Sequence, residues 1–185
     1  MILAGDIGGT KTNLALFTGM DCYHPQSLKT YKSGENPSLV SIVSEYLTHV
    51  FKNPNPKSQT RNPKIDRACF GVAGPVVEHR HCETTNLPWV IDAKSLSRVV
   101  CRMNRCLKSK IPNPKSQIPT WLLNDLESNA WGVSVLKKTD FHVLHEGDPK
   151  ARGNRAVIAA GTGLGEAMMH WDGEKYDAFG IEGGH

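Results

Sequence analysis

No stretch of this chain restricts its fold as much as the first seventeen residues, Met1-Ile-Leu-Ala-Gly-Asp-Ile-Gly-Gly-Thr-Lys-Thr-Asn-Leu-Ala-Leu-Phe17. Two short apolar runs, residues 2–4 and 14–17, flank a polar, glycine-rich turn, which reads as strand, tight turn, strand. Gly8 and Gly9 have no Cβ and tolerate positive φ, so backbone N–H groups there can approach a ligand closely. A concave run of N–H groups beside Thr10, Lys11 and Thr12 suits a phosphate. Asp6, at the end of the first strand, faces the same space. A carboxylate repels bare phosphate and makes sense there mainly with a divalent cation between them. The stretch is not a Walker A loop: Thr10, not Gly, precedes Lys11, and residues 12–17 read as a strand rather than a helix. Taken alone, it fits an ordinary Gly-Gly hairpin equally well.

The length, 185 residues, allows one good-sized domain, or one plus part of another. No apolar run approaches a membrane span, and no charged-then-apolar leader opens the chain, so a cytoplasmic protein without membrane contact is expected. The five cysteines, Cys22, Cys69, Cys82, Cys101 and Cys106, are odd in number and form no Cys-x-x-Cys pair. Thiols are expected rather than disulfides or a zinc site. His79-Arg-His81-Cys82 has no partner pair at ligand spacing and reads as a polar hairpin arm. The net charge is +4, but segments 52–67 and 102–115 carry five basic residues each and a single acid, Asp66. The rest of the chain holds 12 basic and 17 acidic residues. Positive charge so confined does not make a nucleic-acid-binding face.

In chain order, a short strand is expected around residues 28–31. Asn36-Pro37 signals a helix start, with Asn36 as cap, and apolar residues at helical spacing predict an amphipathic helix over 38–51. Residues 54–59 and 112–117 are the same hexapeptide, Pro-Asn-Pro-Lys-Ser-Gln, and read as low-complexity insertions in surface loops. A strand over 65–72 ends at Ala73-Gly-Pro75, and residues 76–83 continue as a strand. The loop 84–89 either presents Asn86 to a polar ligand or serves to bury Trp89. Asp92 caps a helix over about 93–103. A buried strand, Trp121-Leu-Leu123, runs into Asn124-Asp125 and a helix from about 126 to 136. A carboxylate so placed lies where ligands bind in open α/β sheets, although Asp125 is equally an ordinary helix cap. A second buried strand, 156–160, enters Gly161-Thr-Gly-Leu-Gly165, whose spacing is not that of a dinucleotide fingerprint. Strand and turn follow, so this is a second strand–glycine turn–strand unit. The sequence ends at Glu182-Gly-Gly-His185.

Six stretches, in order, resemble the bacterial glucokinase family of the actin/hexokinase-like ATPase superfamily: 4–12, 71–75, 85–89, 122–125, 160–165 and 182–185. The resemblance spans nearly the whole chain apart from the two insertions. It implies an α/β, actin-like ATPase (ribonuclease H-like) fold. A small lobe over 1–119 would be complete, with insertions near 52–64 and 104–118. Residues 120–185 would be only the beginning of the second lobe. It also implies ATP-dependent phosphorylation of the glucose 6-hydroxyl, with Asp125 as general base. Asp6 would hold Mg²⁺, through water. Gly8, Gly9, Thr10, Lys11 and Thr12, with Gly161, Thr162 and Gly163, would cradle the ATP phosphates. Asn124, Asp125, Glu182 and His185 would contact the sugar, with Asn86 a weaker candidate. Glucose and ATP are the implied partners, and a homodimer is allowed for.

The nearest rivals, the repressor/kinase sugar proteins, usually carry a bulky residue before Gly-His, where this chain has Glu-Gly-Gly-His. Family members continue well beyond that motif. The adenosine pocket and a further sugar-binding acid are therefore expected outside this chain, and the strands after Ala156 are expected to have an uncovered face and exposed edges. The alternative to a working glucokinase is an inactive or sugar-binding fragment lacking the adenosine-binding lobe. A chain that does not fold alone is a third alternative.

Overall fold

A computed structural model describes residues 1–19, 23–52, 64–106, 117–148, 150–160 and 164–181. They belong to two compact units, Met1–Leu123 and Asn124–His185.

In the first unit, apolar alternation produces the expected opening hairpin of β1 (Ile2–Ile7) and β2 (Lys11–Phe17), paired from Ile2↔Phe17 to Ile7↔Thr12. β3 (Gln26–Lys32) adds antiparallel to β2. A 3-10 turn, Ser33–Glu35, leads to α1 (Leu39–Lys52), and β4 (Arg67–Val72) pairs parallel with β1. Three short strands follow: β5 (Val76–Val77), β6 (His81–Glu83) and β7 (Val90–Asp92). They form a small separate sheet. α2 (Ala93–Cys106) begins after Asp92, whose carboxylate accepts the Ser95 N–H at 2.8 Å as a cap. β8 (Thr120–Asn124) completes the large sheet in the order β3-β2-β1-β4-β8. The Ala68 N–H donates to the Pro119 carbonyl at 3.0 Å, so β4 and β8 start side by side.

Register fixes which face is buried. Leu3, Leu16 and Ala68 form one row, and Gly5, Leu14 and Phe70 the next. Against them lie Ile42, Val43, Tyr46 and Leu47 of α1, and Leu96 and Val100 of α2. A Cβ at Gly5 would come 2.9 Å from the Leu14 side chain and closer still to Phe70. The opposite face carries Asp6 and Asn13.

In the second unit, α3 (Asp125–Val133) covers one face of an antiparallel sheet made of β9 (Arg155–Ala160), β10 (Leu164–Trp171) and β11 (Tyr176–Ile181). Its small core joins Ala130, Ala167, Met169 and Ala178, with Leu126 and Val157 packed on it. Residues of opposite parity form a second face, and Ile158 is 69% exposed there and Phe179 44%. No described helix is long and apolar enough to cross a membrane.

Several local expectations are corrected. α1 is capped by Ser38, whose Oγ accepts the Ser41 N–H at 3.2 Å, rather than by Asn36. Asn36 precedes Pro37 and is extended (φ −118°, ψ 141°), as pre-proline sterics favour. Residues 76–83 are not one strand, because Glu78 and His79 adopt positive φ (51° and 55°) and turn the chain between β5 and β6. Trp121 is 42% exposed although Leu122 beside it is fully buried. β9, expected to be buried, is largely exposed. The two hexapeptides, at 54–59 and 112–117, lie outside the described residues, apart from Gln117.

Candidate functional site

The first unit builds a donor-rich hairpin tip. The Gly8 N–H donates to the Lys11 carbonyl at 2.9 Å and closes the turn. The N–H groups of Gly9 and Thr10 meet no acceptor among the described residues. Thr10 and Lys11 are exposed. Thr12, expected among the phosphate-facing hydroxyls, is fully buried, and its Oγ1 bonds Ser33 Oγ at 3.0 Å. Its side chain braces the hairpin from within, because it shares the core face with Ile7.

Asp6 ends up exposed at the mouth of this hairpin. Its carboxylate accepts from Asn13 Nδ2 at 3.1 Å, and Asn13 Oδ1 in turn accepts from Thr30 Oγ1 at 2.8 Å. The three residues stand opposite one another on β1, β2 and β3. Sequence reasoning missed Asn13 and Thr30. The signal for Asn13 was available, since a two-stranded register places it across from Asp6. Thr30 is on a separate strand whose register the sequence does not specify.

The loop 84–89 buries Trp89 and leaves Asn86 exposed. Thr84 Oγ1 lies within 2.8 Å of the Leu87 carbonyl and 3.0 Å of the Trp89 carbonyl, which holds the loop closed. Trp89 is buried, and its indole N–H donates to the Asn36 carbonyl at 3.2 Å. Asn86 stays exposed and lies against the hairpin: a Cβ on Gly9 would be 2.9 Å from Asn86 Cβ. Only glycine at position 9 permits this approach.

In the second unit, Asn124 caps α3. Its Oδ1 accepts the N–H groups of Leu126 at 2.9 Å and Glu127 at 3.3 Å. The helix cap is therefore Asn124, and Asp125 is the first residue of the helix, with Oδ1 2.9 Å from the Leu126 nitrogen. Both lone pairs of the Asn124 amide oxygen are thus used within α3. Gly161, Thr162, Gly163, Glu182 and His185, all named as candidates above, lie outside the described residues.

The hairpin fits a magnesium–phosphate group. Its tip exposes amide donors and a glycine surface, and one carboxylate stands at its mouth. Mg²⁺ bound with phosphates uses one or two carboxylates and keeps several waters. Among the described residues no three or more of His, Cys, Asp or Glu cluster as a metal cage, so Asp6 would share the ion with phosphate oxygens and water.

The family model for glucokinase matches residues 3–185. The chain belongs to the glucokinase family. Glucokinase of Nostoc punctiforme is 35% identical over 187 residues, covering 100% of this chain and 47% of that protein. Glucokinase of a Synechocystis species is 33% identical, covering 99% of this chain and 48% of its own. A solved glucokinase from an Antarctic psychrotroph matches at a TM-score of 0.70 and 26% identity, over all of this chain and 50% of that one. A Balamuthia mandrillaris glucokinase, solved with glucose, shares the fold at a TM-score of 0.65 and 21% identity. The α/β fold expected from the sequence is thus that of glucokinases, and the chain spans about half the length of the curated relatives it matches.

Proposed function

We propose that this glucokinase-family chain serves ATP-dependent transfer of a phosphoryl group to the 6-hydroxyl of glucose, giving glucose 6-phosphate and ADP. The observation that supports this best is the approach of Asn86 to Gly9. It sets a sugar-type polar side chain against a phosphate-type tip within one unit, as transfer between two bound substrates requires.

Each residue then has a distinct task. The Gly9 and Thr10 N–H groups and the Lys11 ammonium hold phosphate oxygens of ATP, supplemented by Gly161, Thr162 and Gly163. Asp6, oriented by Asn13, holds Mg²⁺ through water. That ion would neutralise charge on the phosphates. Asn86, Asn124, Glu182 and His185 hydrogen-bond sugar hydroxyls. Asp125 takes the proton of the 6-hydroxyl as its oxygen forms the new bond to phosphorus and the bond to ADP breaks.

The test is ADP release by the 185-residue chain with glucose and MgATP, run beside Asp125→Asn. Turnover is expected to fall by about 10²–10⁴-fold in the variant, the usual contribution of a general base. Equal turnover in the two proteins removes Asp125 from the mechanism. A second reading, a sugar-binding chain without turnover, is favoured by the half-length match to relatives. It predicts a calorimetric glucose signal with no ADP release.

A further inference from the structure

Ser33 opens the 3-10 turn after β3, twenty-five residues beyond Gly8, and has no part in the roles assigned above. It is fully buried and makes three bonds to the phosphate hairpin. Its N–H donates to the Thr10 carbonyl at 3.0 Å, and its hydroxyl donates to the Gly8 carbonyl at 2.7 Å. Its Oγ also lies 3.0 Å from Thr12 Oγ1. A serine hydroxyl has one proton, and here it goes to Gly8, so Thr12 is the donor in the third bond. With the Gly8 N–H on the Lys11 carbonyl, the carbonyls of Gly8, Thr10 and Lys11 are all engaged. The tip's remaining groups without a partner among the described residues are the Gly9 and Thr10 N–H donors and a single carbonyl, that of Gly9. A phosphate oxygen is repelled by carbonyl oxygens and attracted by N–H groups, so this division decides what the tip can bind.

We propose that Ser33 is a positioning residue for the phosphate site: it ties down the Gly8 and Thr10 carbonyls and so preorganises the tip for the phosphates of a nucleotide. The proposal rests on reading the hairpin as a phosphate cradle. The need for a clamp lies in Gly8 and Gly9, whose backbones range widely when unrestrained. A tip ordered only on binding would lose affinity to that ordering.

Ser33→Ala deletes the hydroxyl alone. Amide hydrogen exchange should then rise at least tenfold at Gly8 and residue 33, while Ala68, bonded to Pro119 elsewhere in the same sheet, keeps its protection. MgADP, titrated by calorimetry into the folded variant, should bind about tenfold more weakly than to the wild type. Thr12→Val should reproduce both effects at nearly constant volume, and serves if Ser33→Ala does not fold. Thr12→Ser, which keeps the donor, should stay within twofold of wild type in MgADP affinity. Exchange that is unchanged, or that rises equally at Ala68, overturns the clamp. Unchanged MgADP affinity in both Ser33→Ala and Thr12→Val overturns the positioning role. If the wild type binds neither MgADP nor magnesium pyrophosphate, which needs no adenosine pocket, the phosphate-cradle reading and the role with it are overturned, and the exchange data then describe a bracing serine only.

Discussion

Asn124 and Asp125 are adjacent, polar and both acceptable at a helix start, yet they have separate roles. Asn124 spends its carbonyl on two N–H groups of α3. That arrangement satisfies donors the helix cannot pair internally, and Asp125 Oδ1 also accepts from the Leu126 N–H at 2.9 Å. Asp125 occupies the first turn, where the helix dipole favours an anionic side chain. Asn124→Ala should cost about 1 kcal/mol of stability, and Asn124→Ser should recover most of it, as read from urea unfolding followed by α3 amides. The sequence exposed the pair but not the division, because Asn and Asp cap equally well and a one-residue shift in helix start exchanges their roles. Ser33 was harder to see. It approaches Gly8 through tertiary structure alone, across a separation on which local spacing is silent.

Among elements, the β1–β2 hairpin was the most legible, since alternating apolar residues and a Gly-Gly turn both specify it. The β5–β6 turn was the least legible. It uses Glu78 and His79 at positive φ, without the Gly or Asn that usually marks such a position. The starts of β1 and β4 are tied by charge as well as by pairing. The Met1 ammonium donates to Asp66 at 2.8 Å and to the Lys64 carbonyl at 2.6 Å. The hydrogen bond from that ammonium, and then one from Lys64, holds the Asp66 carboxyl below its usual range. Stability from this contact is complete above the carboxyl's unfolded pKa, about 4, and is lost as pH falls through the lower folded value. Asp66 is half exposed, so solvent screening keeps the effect under about 1 kcal/mol. Asp66→Asn should therefore lower the urea midpoint slightly at pH 7 and not at all near pH 2.

For the molecule as a whole, the two units differ in how completely they are covered. The first has α1 and α2 over its sheet, whereas β9–β11 carry α3 on one face and leave Ile158, Leu164 and Phe179 open on the other. The burial of β9 was misjudged because an all-apolar strand reads as buried whether or not a second layer is present. Phe179→Ser should reduce binding of a fluorescent apolar dye and lower self-association in sedimentation, with the unfolding of the first unit unchanged. The large sheet also has two unlike ends. β4 and β8 start side by side, while the Gly8–Gly9 hairpin opens past the far end of β1, which runs parallel to β4. The first unit thus has a handle end and a working end. A fluorophore or surface tether at exposed Arg67 or Gln117 would attach at the handle, and the immobilised first unit would hold its hairpin toward the solution.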